Sequence, residues 1–173
     1  MTNPEEGLIG DGFATGEKDT FLFILTGDCL ALFFYEPVKR VCALAHSGWR
    51  GVDNQMPTRM VQYLTEKYGC DRSEIRVGLS PALGKDSATF DNFEKFNQEN
   101  LKAWQPYIYK GDKDYQVNWL QYATDQLIQA GITPKNIENA GIDTRTDPRF
   151  YSHRKSKQEE LPEARFGCLI GIK

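Results

Sequence analysis

Apolar positions fall in short runs through the first third of the chain, and a helical period enters clearly in only a few later segments. Residues 20–26 (TFLFILT) read as a strand. Residues 30–35 and 41–45 are apolar runs rich in aromatic and branched side chains. Between them Glu36-Pro37-Val38-Lys39-Arg40 supplies the break and polarity of a turn, so the two runs predict a β-hairpin. From Met56 or Pro57 to Tyr68 the period changes: Met60, Val61 and Leu64 share one helical face, and Pro57 is acceptable in a first turn. Residues 74–78 form a short strand leading into Ser80-Pro81-Ala82-Leu83-Gly84. A helix over 91–101 is capped by Asp91 or Asn92 and striped by Phe93 and Phe96. Short strands over 107–109 and 115–117 flank a turn at Gly111-Asp112. Asn118 caps a helix through Ala130 that Gly131 ends, and residues 137–142 and 166–172 close the chain as strands. The first dozen residues read as a loosely docked arm. Strand runs mixed with three helices predict an α+β (mixed α/β) fold in a single domain over residues 1–173.

The hairpin carries the candidate chemistry. Folding about the Pro37/Val38 midpoint pairs residues whose numbers sum to 75, which sets Cys29 opposite His46. Opposed residues on an antiparallel pair share a face with Cβ atoms about 4.5–5.5 Å apart, within reach of a hydrogen bond or a shared metal. A small buried thiol and a strand-end imidazole would fit the same spacing, and a bulge or slip would undo the pairing. Next comes Ser47-Gly48-Trp49-Arg50-Gly51, a glycine loop before a helix, where backbone N–H groups and Arg50 suit an anion of phosphate size. The same glycines would serve a bare turn, with Arg50 solvated and Trp49 packed. Asp28 is placed to orient His46 or hold a ribose hydroxyl, or else to cap a turn. Phe150-Tyr151-Ser152-His153-Arg154-Lys155 sets the second histidine and two cations beside hydroxyls, a combination suited to phosphate or sugar and equally to a solvated basic loop.

Composition narrows the classes. The 173 residues are 40% hydrophobic, enough for one good core, and the net charge of −3 with a pI near 5.5 argues against a nucleic-acid footprint. No apolar run approaches the roughly 20 residues of a membrane span, and MTNPEEG is no signal sequence. Cys29, Cys42, Cys70 and Cys168 are scattered without a CxxC pair, so no structural disulfide and a cytoplasmic setting are expected.

Read in order, these motifs resemble one family over nearly the whole chain. TGDC and HSGWRG are similar to the TADC and HAGWRG motifs of the laccase-domain family, also called polyphenol oxidase or YfiH-like proteins. Asp11-Gly12-Phe13-Ala14-Thr15 resembles its DALVT segment, residues 80–84 its GPAIG loop, residues 117–120 its VDLW helix start, and residues 150–154 its FFSYRR segment.

That resemblance implies a β-sandwich-like fold of mixed sheets flanked by helices, shared with bacterial cysteine deamidase toxins. It implies purine nucleoside phosphorolysis, acting on adenosine, inosine or methylthioadenosine with phosphate, along with adenosine deamination. It also implies a metal site of two histidines and one cysteine, for zinc or, less readily, copper. Carried over by motif, Cys29 and His46 take the catalytic and metal positions, and Arg50 and Arg154 the basic positions around the pocket. Asp28, Ser47 and Ser152 complete the candidate substrate contacts.

The third family ligand is a histidine upstream of the DALVT segment. This chain starts at about that segment, so an N-terminally shortened domain is expected, with His153 the remaining histidine. Two histidines cannot build a multicopper centre, which excludes a true laccase mechanism. Two alternatives stand beside the phosphorylase. One is a metal-independent Cys-His hydrolase, such as a peptidoglycan-editing amidase, with a Cys29 thiolate favoured by His46. The other is a degenerate binding module, with a partner or second copy covering an exposed sheet edge.

Overall fold

The computed structural model describes residues 10–91, 93, 99–111 and 114–173. Its centre is a five-stranded sheet of order β1-β4-β3-β5-β9, built from β1 (Gly12–Thr15), β3 (Leu30–Glu36), β4 (Val41–Ser47), β5 (Arg76–Leu79) and β9 (Ile137–Asn139). Only the β5/β9 pair is parallel. A two-stranded ribbon joins β2 (Thr20–Thr26) to β10 (Phe166–Ile172). A small sheet orders β6 (Thr89–Phe90), β8 (Tyr115–Val117) and β7 (Ile108–Lys110). The helices are α1 (Trp49–Asp53), α2 (Met56–Tyr68), α3 (Leu101–Trp104), α4 (Trp119–Gln129) and α5 (His153–Glu159). This is the expected α+β architecture of mixed sheets flanked by helices.

The period-two pattern of the hairpin divides its residues between two cores. Leu30, Leu32 and Phe34 of β3, with Val41, Ala43 and Ala45 of β4, pack under Met60, Val61 and Leu64 of α2 and Leu127 of α4. The alternate residues Ala31 and Leu44 join Ile24 and Cys168 of the ribbon. Each fully buried leucine or phenylalanine contributes about 1.5–3 kcal/mol, so the hairpin, with residues of both faces in a core, is firmly anchored. The ribbon's outer face is different: Phe21, Phe23, Leu25 and Leu169 are all more than half exposed.

Several expectations change. The hairpin pairs residues whose numbers sum to 77: Leu30 with Ser47, Ala31 with His46, Glu36 with Val41. The cause is Glu36. It belongs to the strand rather than the turn, is almost fully buried, and its carboxylate accepts from the Val38 and Lys39 amides at 2.9 and 2.7 Å. A four-residue connection results, with Arg40 left-handed at φ 54°. Cys29 is therefore not opposite His46 but aligned with Gly48, just before β3 begins. Of the arm expected over residues 1–12, Asp11 accepts from the His46 amide and Gly12 opens β1 at the sheet edge, so its last residues are not loose, while residues 1–9 lie outside the described residues. The segment from His153 is a capped helix rather than a loop. The expected strand over 137–142 is confined to Ile137–Asn139. The expected helix over 91–101 falls largely outside the described residues.

Candidate functional site

Cys29, His46, Trp49 and Arg50 line one cleft of about 670 Å³, together with Asp11 and Arg59. The hairpin places the first two. His46 is the penultimate residue of β4, where the contact with β1 continues one residue beyond that strand: the His46 amide donates to the Asp11 carbonyl at 2.7 Å. The Asp11 carboxylate stands 3.4 Å from His46 Nδ1. At that ion-pair distance the carboxylate favours the ring orientation that turns Nε2 toward a ligand or a proton transfer. Cys29 lies against the next loop so closely that a Cβ on Gly48 would sit 3.0 Å from its Sγ. The shifted register thus still brings thiol and imidazole to one cleft.

Burial, followed by the charge of Asp28, pushes the Cys29 thiol up to about 11, against the opposing pull of Arg165 and Arg50. Without a bound metal the thiol is protonated near neutral pH. A thiol held up in this way disfavours the thiolate that the hydrolase alternative requires.

Past β4 the chain turns into α1, whose first residue Trp49 packs edge-on to Phe90 and Phe93 at centroid distances of 6.3 and 5.8 Å. The Arg50 guanidinium stacks over the Trp49 ring at 4.2 Å. Asp53, at the far end of α1, accepts from the buried Trp104 indole at 2.7 Å and from the Asn100 amide at 3.1 Å. The loop wall of the cleft is thereby tied to the aromatic core.

The other expected site residues have different tasks. Asp28 is buried with left-handed backbone (φ 76°), and both carboxylate oxygens are taken: Oδ1 accepts from Thr144 Oγ1 at 2.7 Å, Oδ2 from the Arg154 amide at 2.6 Å. It therefore fastens the start of α5 and is not directed at His46 or a ribose. Ser47 is fully buried, pointing at Gly51, where a Cβ would come within 2.8 Å of Oγ; the hydroxyl has no hydrogen-bond partner among the described residues. Ser152 caps α5, its Oγ accepting from the Lys155 amide at 3.1 Å, and it lines a separate cavity of about 330 Å³. Arg154 is half-buried, donates to Thr89 O and Oγ1, and lies over Phe90 at 5.2 Å, one ring away from Trp49. These placements separate Asp28, Ser47, Ser152 and Arg154 from the lining of the cleft. Sequence reasoning missed Asp11 and Arg59. Only the first had a visible signal, in the segment 11–15.

The donor set does not complete a metal site. Cys29 and His46 are two ligands, a catalytic zinc usually takes three from protein, and no three His, Cys, Asp or Glu side chains converge among the described residues. His153 does not supply the third, because its Nδ1 is buried away from partners and the residue is not part of the cleft lining. All four cysteines are free thiols. No described helix is long and apolar enough to cross a membrane.

The family model described as multi-copper polyphenol oxidoreductase laccase matches residues 2–173. The chain belongs to that family. Among this laccase family's members, the protein named purine nucleoside phosphorylase YlmD from Bacillus subtilis is 31% identical over 166 residues, covering 94% of this chain and 59% of that protein. Human purine nucleoside phosphorylase LACC1 is 30% identical over 170 residues, covering 94% of this chain and 37% of that protein. The crystal structure of Bacillus licheniformis hypothetical protein YfiH superposes with a TM-score of 0.84 at 27% identity, covering 94% of this chain and 61% of that one. The chain thus spans less than two thirds of the length of these laccase-family relatives.

Proposed function

We propose that this chain provides the reaction cleft of a purine nucleoside phosphorylase-type enzyme, with adenosine, inosine or methylthioadenosine and phosphate as substrates. The single observation that carries the reading is the cleft itself. It gathers an imidazole with a carboxylate beside it, a thiol and two guanidinium groups in one lining. The names of the relatives, purine nucleoside phosphorylases from bacteria to human, support it.

In phosphorolysis a phosphate oxygen attacks C1′ of the ribose while the bond from C1′ to the purine nitrogen breaks. The electron pair and one proton pass to the departing base. Arg50 neutralises the attacking phosphate, and its stacking on Trp49 fixes the guanidinium plane before substrate arrives. His46, held at Nδ1 by Asp11, donates or shares the proton at the purine. Cys29, protonated by its burial, is a neutral donor beside the sugar and not a nucleophile. Adenosine deamination would require a metal-activated water, and the donor set described above does not furnish that metal's ligands, so the proposal is confined to phosphorolysis.

Incubating the protein with each nucleoside and phosphate tests this by chromatography of the free base. Release that falls by at least about 100-fold in His46→Ala supports the assignment, in line with the usual contribution of a positioned acid or base. No release from any of the three nucleosides, or unchanged release in that variant, rejects it.

A further inference from the structure

Arg59 belongs to no motif that points to the site, yet it lines the same cleft as Arg50. The two are nine residues apart, about two and a half helical turns, so one unbroken helix would set them on opposite faces. The chain avoids this by breaking the helix between α1 and α2. Gln55 adopts left-handed φ 60°, ψ 32°, a conformation that non-glycine residues hold only when their surroundings enforce it. The enforcement is visible: Gln55 Nε2 donates to the Tyr122 hydroxyl at 3.2 Å, and its Oε1 accepts from Thr58 Oγ1 at 3.3 Å. Both bonds run to residues beyond the break, one of them on α4.

Charge points the same way. Among the described residues neither guanidinium has a carboxylate within ion-pair distance, since the three such pairs are His46 with Asp11, Arg149 with Asp147 and Lys157 with Glu163. Asp53, the acid nearest in sequence, is occupied by Trp104 and Asn100. Asp11 faces His46. Two cations without an ion-pair partner that line one cleft, in a chain whose net charge is −3, oppose each other and favour an anion between them. Two guanidinium forks match the oxygens of a phosphoryl dianion.

We propose that Arg50 and Arg59 together form a phosphoryl-dianion subsite, and that the Gln55 break is the device that brings Arg59 onto it. This rests on the cleft being the substrate site, and it assigns the anion to Arg59 in place of Arg154, whose guanidinium is engaged with Thr89. The dianion is either free phosphate or a phosphate carried on the nucleoside.

Titration calorimetry with inorganic phosphate and with adenosine 5′-monophosphate, each against wild type, Arg59→Ala, Arg59→Lys and the control Arg76→Ala, tests this without any turnover. Affinity for at least one probe should fall about ten- to hundred-fold in Arg59→Ala, partly recover in Arg59→Lys and stay unchanged in Arg76→Ala. Phosphate sensitivity identifies the free ion as ligand, and sensitivity to the monophosphate alone identifies the carried one. Gln55→Ala, which removes both enforcing hydrogen bonds and leaves a non-glycine residue in the left-handed region, should weaken binding of the same probe, and undiminished binding in it rejects the Gln55 break as the device. Wild-type protein that binds neither probe, or Arg59→Ala that binds both undiminished, overturns the subsite. Arg59-dependent binding without base release retains the subsite while rejecting the phosphorylase reading. Base release whose KM for phosphate ignores Arg59→Ala does the reverse.

Discussion

Replacing Asp28 separates a fastening role from a substrate role. Its two carboxylate oxygens hold Thr144 and the Arg154 amide, and Thr144 is buried as deeply as the sheet core. Asp28→Ala strands a buried hydroxyl and a helix-start N–H, at about 1–3 kcal/mol each. It also places alanine at φ 76°, which adds about 1 kcal/mol. The expected loss is about 3–7 kcal/mol. Asp28→Asn should be far milder, about 1 kcal/mol, because asparagine tolerates the left-handed backbone and its amide can satisfy both partners. Its oxygen accepts from the Arg154 amide, and its NH2 donates to Thr144, whose hydroxyl turns from donor to acceptor. Guanidinium chloride unfolding at neutral pH measures both values. A loss below 1 kcal/mol in Asp28→Ala, or equal losses in the two variants, refutes the fastening role.

Two further perturbations have clear signs. Ser47→Ala removes a fully buried hydroxyl that has no partner among the described residues, so thermal melting should show a protein at least as stable as wild type; a loss above about 1 kcal/mol would mean that the hydroxyl is bonded. For Cys29 the folded thiol is held up near 11 against an ordinary value of 9.0, so the folded state binds this proton more tightly than the unfolded chain does. Its contribution to stability is complete below pH 9 and declines as pH rises through 11, and Cys29→Ser should flatten that decline. Iodoacetamide labelling of Cys29 should accordingly be slow at pH 7, and rapid stoichiometric labelling there would contradict the burial.

What the chain revealed in advance was local. Apolar alternation over residues 30–35 and 41–45 located the hairpin, and the Asn118 cap with the gap at Gly131 bounded α4, because these signals lie within a few residues of their effects. The register failed by one pair since Glu36 looks like a turn residue in sequence. Only its burial, with the carboxylate folded onto the Val38 and Lys39 amides, makes it the last residue of the strand. The site divided in the same manner. Cys29, His46 and Arg50 were legible from one contiguous motif. Asp11 reaches His46 through strand pairing, and Arg59 reaches the cleft through a helix break at Gln55, neither of which has a spacing rule. Asp28 was misassigned for the converse reason: its partners, Thr144 and Arg154, are more than a hundred positions away.

Phosphorus NMR of the protein with inosine and phosphate measures the proposed chemistry most directly. Phosphorolysis in the Cys29 and His46 cleft predicts a pentose 1-phosphate signal that grows in step with free hypoxanthine and is lost in Cys29→Ala and His46→Ala. Hypoxanthine appearing without a sugar phosphate, or a signal undiminished in both variants, would contradict it.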